Sequence, residues 1–223
     1  MCFSPAGDFV GGLIITGIGI DAVRHLHGRP EFKLLAPLPI VLGLHQIDET
    51  FVWWQLQGHV SRSVGVVAMW IYLLFALVVL PTIVPGILCF MERERRRRWI
   101  LGVFTLLGLG VSITLLSTMV AGNPTAKLGH YHLAYSIGLH DGVLVVALYV
   151  LATCGALLAS SRRAVVIFGL VNLIVVLVLA RLAADGFTSL WCFYAAVVSA
   201  AIAVLLRTRH LLDTKPLEAA ATA

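Results

Sequence analysis

Long apolar runs separated by short polar connections fill the chain from end to end. The stretches 64–90, 99–121 and 164–180 each reach or approach the run of about 20 apolar residues that carries an α-helix across a hydrocarbon core about 30 Å thick. Backbone polar groups in lipid find no water, so such spans must close their hydrogen bonds within the segment, as helices do. The short alternating segments of a transmembrane barrel are missing. The pattern predicts an all-α integral membrane bundle of about seven transmembrane helices, near 9–23, 34–56, 64–90, 99–121, 139–159, 164–183 and 188–206. Short connections make consecutive helices antiparallel neighbours in a single domain over 1–216, and 217–223 is expected to be a flexible tail.

Composition agrees. Hydrophobic residues make up 60% of the 223, charged residues only 12%, and the mean hydropathy is +0.97, whereas a soluble domain carries about 25% charged residues. The net charge of +5 does not point to nucleic acid, because the basic residues lie in connections between apolar spans and form no separate basic domain. Arg24, Arg29, Lys33, Arg93, Arg95 to Arg98, Arg162, Arg163, Arg207, Arg209 and Lys215 fall in one alternate set of connections; only Arg62, Lys127 and Arg181 fall in the other. Such a bias marks the rich side as cytoplasmic, which places the N-terminus outside and the C-terminus in the cytoplasm of a plasma or bacterial inner membrane. No basic stretch precedes the first apolar run, so the first helix is expected to act as its own insertion signal.

Candidate chemistry lies where polar residues interrupt this pattern. The second helix carries His45, Gln46, Asp48 and Glu49 within two turns. An acidic residue at the centre of a membrane helix costs about 2.5–3.5 kcal/mol to insert, so such residues usually face the bundle interior. His45, Glu49 and Trp53 recur at four-residue spacing and share one face. At 1.5 Å per residue Glu49 lies about 10 Å below Leu56 at the outer end, and His45 near the midplane. Cys2, Asp8, His59, Arg62, His130, His132, Tyr135, His140, Asp141, Arg181, Asp185 and Cys192 map to the same outer half. Plain structural roles stand beside the functional ones: an ion pair of Glu49 with Arg181, solvated histidines in the outer loop 122–138, an interhelical hydrogen bond for His45, and an aromatic belt for the tryptophans. A Cys2–Cys192 disulfide is chemically permitted, and no Cys-x-x-Cys is present.

Several short elements together resemble an uncharacterised bacterial family of multipass membrane proteins, a domain of unknown function whose members begin Met-Cys-Phe-Ser. Met1-Cys2-Phe3-Ser4 matches that start. Gln46-x-x-Glu49-x-x-x-Trp53 resembles its second-helix element, with Thr50 in place of a glycine and His45 in place of a glutamine. His132-x-x-Tyr135, Ser160-Ser161-x-Arg163 with Phe168-Gly169, and Trp191-Cys192-Phe193 resemble further elements along most of the chain. The resemblance implies a family and no activity.

Removal of Met1 would expose an amine and a thiol on Cys2, able to chelate a metal ion. Thiolate, imidazole and carboxylate together suit zinc, copper or iron. Cys2, Glu49 and His132 are the leading candidate ligands, with His130 and His140 as substitutes. Three protein ligands and one open position would form a catalytic site, Glu49 serving as ligand or general base and Tyr135 as proton donor. This reading expects a membrane metalloprotein with an outer-leaflet site acting on a lipid or small lipophilic substrate, its partners being the bilayer and the metal. A cation- or proton-coupled transporter or sensor is the second class, and a structural subunit of a membrane complex the third. A retinal protein is disfavoured, since Lys33, Lys127 and Lys215 all lie outside the spans, and bis-histidine haem lacks a second deep histidine.

Overall fold

The computed structural model describes residues 4–24, 37–129, 132–139 and 142–182, together with 194, 196–198 and 200. Among them are seven α-helices, one π-helical segment and one two-stranded sheet. Four helices are long and apolar enough to cross a membrane: Pro5–Arg24, the continuous rod Arg62–Met91, Arg95–Gly122 and Gly142–Ala159. The expected seventh helix, 188–206, falls almost wholly outside the described residues.

Helix α1 (Pro5–Arg24) begins where Ser4 Oγ accepts the Gly7 N–H at 3.1 Å and proline occupies the first helical position, where its missing N–H costs nothing. Helix α2 (Leu38–Leu56) ends at Gly58, whose φ of +81° lets the Gly58 and His59 N–H groups fold back onto the Gln55 and Trp54 carbonyls. The two helices are antiparallel and nearly touch: a Cβ on Gly12 would lie 2.7 Å from the Gly43 carbonyl oxygen, and one on Gly19 2.6 Å from the Ile40 nitrogen. Small residues permit this approach, the usual device where apolar helices pack by shape. The same register carries Asp8 to the level of Thr50 and Phe51, and the Phe9 and Trp54 rings lie 6.0 Å apart.

Helix α3 (Arg62–Leu73) passes through the π segment Leu74–Val79 into α4 (Leu80–Met91). Pro81 and Pro85 offer no N–H to the preceding turns, and the wider segment is stabilised from outside. Tyr149 Oη donates to the Ala76 carbonyl at 2.6 Å, and Ser112 Oγ to the Val78 carbonyl at 2.6 Å. These donors come from α6 (Gly142–Ala159) and α5 (Arg95–Gly122), which pack with α4 into a three-helix unit; α7 (Arg163–Leu182) lies against α6.

The described residues are mostly helical, as expected, with one addition. The loop 122–138 contains an antiparallel hairpin, β1 (Thr125–Leu128) paired with β2 (Leu133–Ser136), Ala126 opposite Tyr135. It starts where Asn123, in the left-handed region at φ 48°, and Pro124 end α5. Leu133, Tyr135 and Ile137 alternate towards the helices and pack with Val52, Trp53, Tyr72 and Met119. Trp53 is therefore a core residue, not a member of an aromatic belt.

At the opposite end the α4–α5 and α6–α7 connections are clasped together. Glu92 Oε1 accepts the Arg93 and Glu94 N–H groups at 3.0 and 3.2 Å and the Ser161 hydroxyl at 2.9 Å, while Oε2 accepts the Ser161 N–H at 3.0 Å. Burial raises the Glu92 pKa, but these hydrogen bonds, those of Ser161 foremost, outweigh it and hold the carboxyl below the ordinary glutamate value. Arg97 adds bonds to the Ala159 and Ser160 carbonyls, each 3.2 Å, and an ion pair with Glu94 at 2.8 Å.

Candidate functional site

The polar turn of α2 lies inside the helix packing, under the hairpin. Glu49 is 0% exposed, and Gln46, Thr50 and Asp8 are buried with it. Two contacts fix this placement: the glycine-lined approach of α1 covers the Ile40, Gly43 and Ile47 side of α2, and Tyr72 of α3 stacks on His45. The hairpin closes the end. Its register turns Tyr135 inward, and Tyr135 Oη donates to Glu49 Oε1 at 3.3 Å.

A run of rings leads away from that bond. Tyr135 stacks on Tyr72 with centroids 4.9 Å apart and planes 19° apart; Tyr72 in turn stacks on His45 at 4.1 Å and 9°. Phe75, in the π segment, tilts against His45 at 4.8 Å and 51°. His45 sits one helical turn from Glu49, so the carboxylate, two phenol rings and an imidazole form a continuous file through the packed interior. His45 Nε2, Asp48 Oδ2 and Trp53 Nε1 are buried with no hydrogen-bond partner among the described residues. A buried polar atom left unbonded costs free energy, so these positions are suited to a water, proton or ligand that completes them.

Glu49 and Tyr135 are thus brought together. The alternative ion pair of Glu49 with Arg181 is not formed: Arg181 is exposed in the last turn of α7. His132 lies just before β2, where its carbonyl accepts the Gly129 N–H at 2.8 Å, and it lines an open cleft of about 540 Å³ with Lys127, Ala134, Tyr135 and Ser136 of the hairpin. Cys2, His130, His140 and Cys192 lie outside the described residues. Among the described residues no three His, Cys, Asp or Glu side chains are placed to hold a metal ion. Tyr72 was not singled out from sequence, because one tyrosine inside an apolar span gives no signal of its own. Only its stacking on His45 and Tyr135 marks it.

A family model, that of a family of unknown function (DUF6629), matches residues 1–218. No curated protein and no solved structure matches the chain.

Proposed function

The chain belongs to this family, and we propose that it is a multipass membrane protein in which Glu49, with Tyr135 and His45, binds a proton or small cation for coupled transport or sensing. Four membrane-length helices support the membrane setting, as do the apolar side chains they leave exposed, among them Val10, Ile14, Val67, Ile71, Val103, Leu106 and Leu144. Contiguous apolar surface on a soluble monomer rarely exceeds a few hundred Å² (roughly). With seven spans and the arginine-rich connections in the cytoplasm, the hairpin end faces outward.

The observation that carries the functional reading is the burial of Glu49 beneath the Tyr135 hydroxyl. Charge at that depth is expensive, so an ionisable group there must be matched by a counter-charge, a hydrogen bond or a proton. Its hydrogen-bond donor comes from a hairpin at the bundle end, an element whose displacement would change that balance. Tyr and His each carry a group that both donates and accepts, so the ring file offers exchangeable sites from the hairpin end towards mid-bundle. In liposomes enclosing a pH-sensitive dye, an imposed potassium diffusion potential should drive proton or cation movement faster with the intact chain than with Glu49→Gln. Equal rates would remove the transport form of the proposal.

A second reading keeps the metal ion. It draws on the antiparallel packing of α1 on α2, which sets Phe9 beside Trp54 at the end of α2 that carries Glu49. Cys2, Glu49 and His132, with His130 or His140, would then hold zinc, copper or iron. Elemental analysis of the purified protein should find the metal at half-stoichiometry or above, falling sharply in Cys2→Ser or His132→Ala. Unchanged content in both variants ends that reading.

A further inference from the structure

We propose that the arginine face formed by the α4–α5 and α6–α7 connections is a binding site for the phosphate of an anionic phospholipid headgroup. The site is distinct from the Glu49 cluster and rests on the membrane reading alone. Seven arginines (Arg93, Arg95 to Arg98, Arg162 and Arg163) meet only two carboxylates, Glu92 and Glu94, in these connections. Both carboxylates are occupied. Glu92 is saturated by backbone and Ser161 donors, and Glu94 holds Arg97. Arg93, Arg95, Arg96 and Arg163 are exposed and pair with no carboxylate among the described residues.

A charge run that only sets topology needs no fixed geometry. Here the two connections are tied to one another by the Glu92–Ser161 bonds and by Arg97 on the Ala159 and Ser160 carbonyls, so arginines distant in sequence share one surface. Between them lies a cleft of about 360 Å³ lined by Met91, Glu92, Arg93, Ser161 and Arg162. Arg95 to Arg98 occupy the first turn of α5, which contains no acidic residue of its own; the N-cap carboxylate of Glu94 is taken by Arg97, and the helix dipole disfavours the remaining cations. An anion at this face offsets both costs.

The depth of the patch selects the lipid as its source. Phe90 and Trp99, 80% and 69% exposed, flank the arginines at the ends of membrane-length helices. Exposed aromatic rings at that position belong at the headgroup level, and the guanidiniums beside them then lie among lipid phosphates. Guanidinium binds phosphate with two parallel N–H bonds; the quaternary ammonium of a choline headgroup repels a cluster of guanidiniums, whereas a glycerol headgroup is neutral and leaves the phosphate charge uncompensated.

The full chain in detergent, given phosphatidylglycerol or phosphatidylcholine and weighed by native mass spectrometry, tests this. Phosphatidylglycerol should be retained preferentially. Arg93→Gln/Arg163→Gln and, separately, Arg95→Gln/Arg96→Gln should each weaken retention about tenfold or more, since each arginine near an anionic surface contributes about fivefold. Arg62→Gln/Lys127→Gln removes the same charge elsewhere and should leave retention unchanged. Equal retention of the two lipids, an equal loss in that control, or displacement of the lipid by matched inorganic phosphate would overturn the proposal. Extraction of the chain from membranes without detergent would instead sink the membrane reading.

Discussion

Removing the Tyr135 hydroxyl isolates the bond on which the site is built. Tyr135→Phe keeps the ring, its 4.9 Å stacking on Tyr72 and its packing against Val52 and Leu133, and deletes only the donor to Glu49. At 3.3 Å this O–H···O contact is longer than the usual 2.7–2.8 Å, so its net worth sits low in the range for bonds to a charged or polar partner, at about 1 kcal/mol. Glu49→Leu should cost more, about 2–3 kcal/mol, because the carboxylate also has other buried polar neighbours that lose a partner. The double variant should cost less than the two losses added, since it leaves no orphaned hydroxyl facing an apolar side chain. Reversible unfolding in mixed micelles would measure the cycle, with about 2–4 °C in Tm for each kcal/mol in a chain of this size. Additive losses, to within about 0.5 kcal/mol, would show that the two residues do not interact and refute the reasoning.

Two further perturbations test the frame around the site. Gly43→Ala places a methyl group against Thr16 Oγ1 and the Gly12 carbonyl, so α1 and α2 must separate; a loss of about 1–3 kcal/mol is expected, read by the same unfolding assay, and an unchanged Tm would refute the close approach. Glu92 has a lowered carboxyl pKa when folded, so its contribution to stability is complete above the ordinary glutamate value of about 4.3 and is lost as pH falls through the lowered one. The Tm of the intact chain should therefore fall more steeply than that of Glu92→Gln as pH drops below the ordinary glutamate value, and parallel curves would contradict the clasp.

Much of the architecture was legible because membrane-length apolar runs admit one backbone solution. The boundaries of α5, α6 and α7 lie close to those expected, as do the buried faces of His45, Glu49 and Trp53, which follow from helical periodicity alone. The hairpin was not legible. Leu133-Ala134-Tyr135-Ser136-Ile137 does alternate, but five residues between two long helices read equally well as loop, and the pairing with Thr125–Leu128 is what makes them a strand. The π segment was hidden for a related reason. Leu74–Val79 is as apolar as any ordinary turn, and its carbonyls are capped by Ser112 and Tyr149, residues 34 and 73 positions from those they serve. Glu49 was thus found by its oddity in an apolar helix, whereas Tyr72 required the fold.

The central claim, that Glu49 exchanges a proton or cation inside the bundle, is most directly tested by infrared difference spectroscopy on membranes holding the full chain, stepped in pH and in cation concentration. A carboxyl band should change with one of these steps, shift in Tyr135→Phe and disappear in Glu49→Gln. A spectrum identical in the intact chain and in Glu49→Gln, across every step, would contradict it.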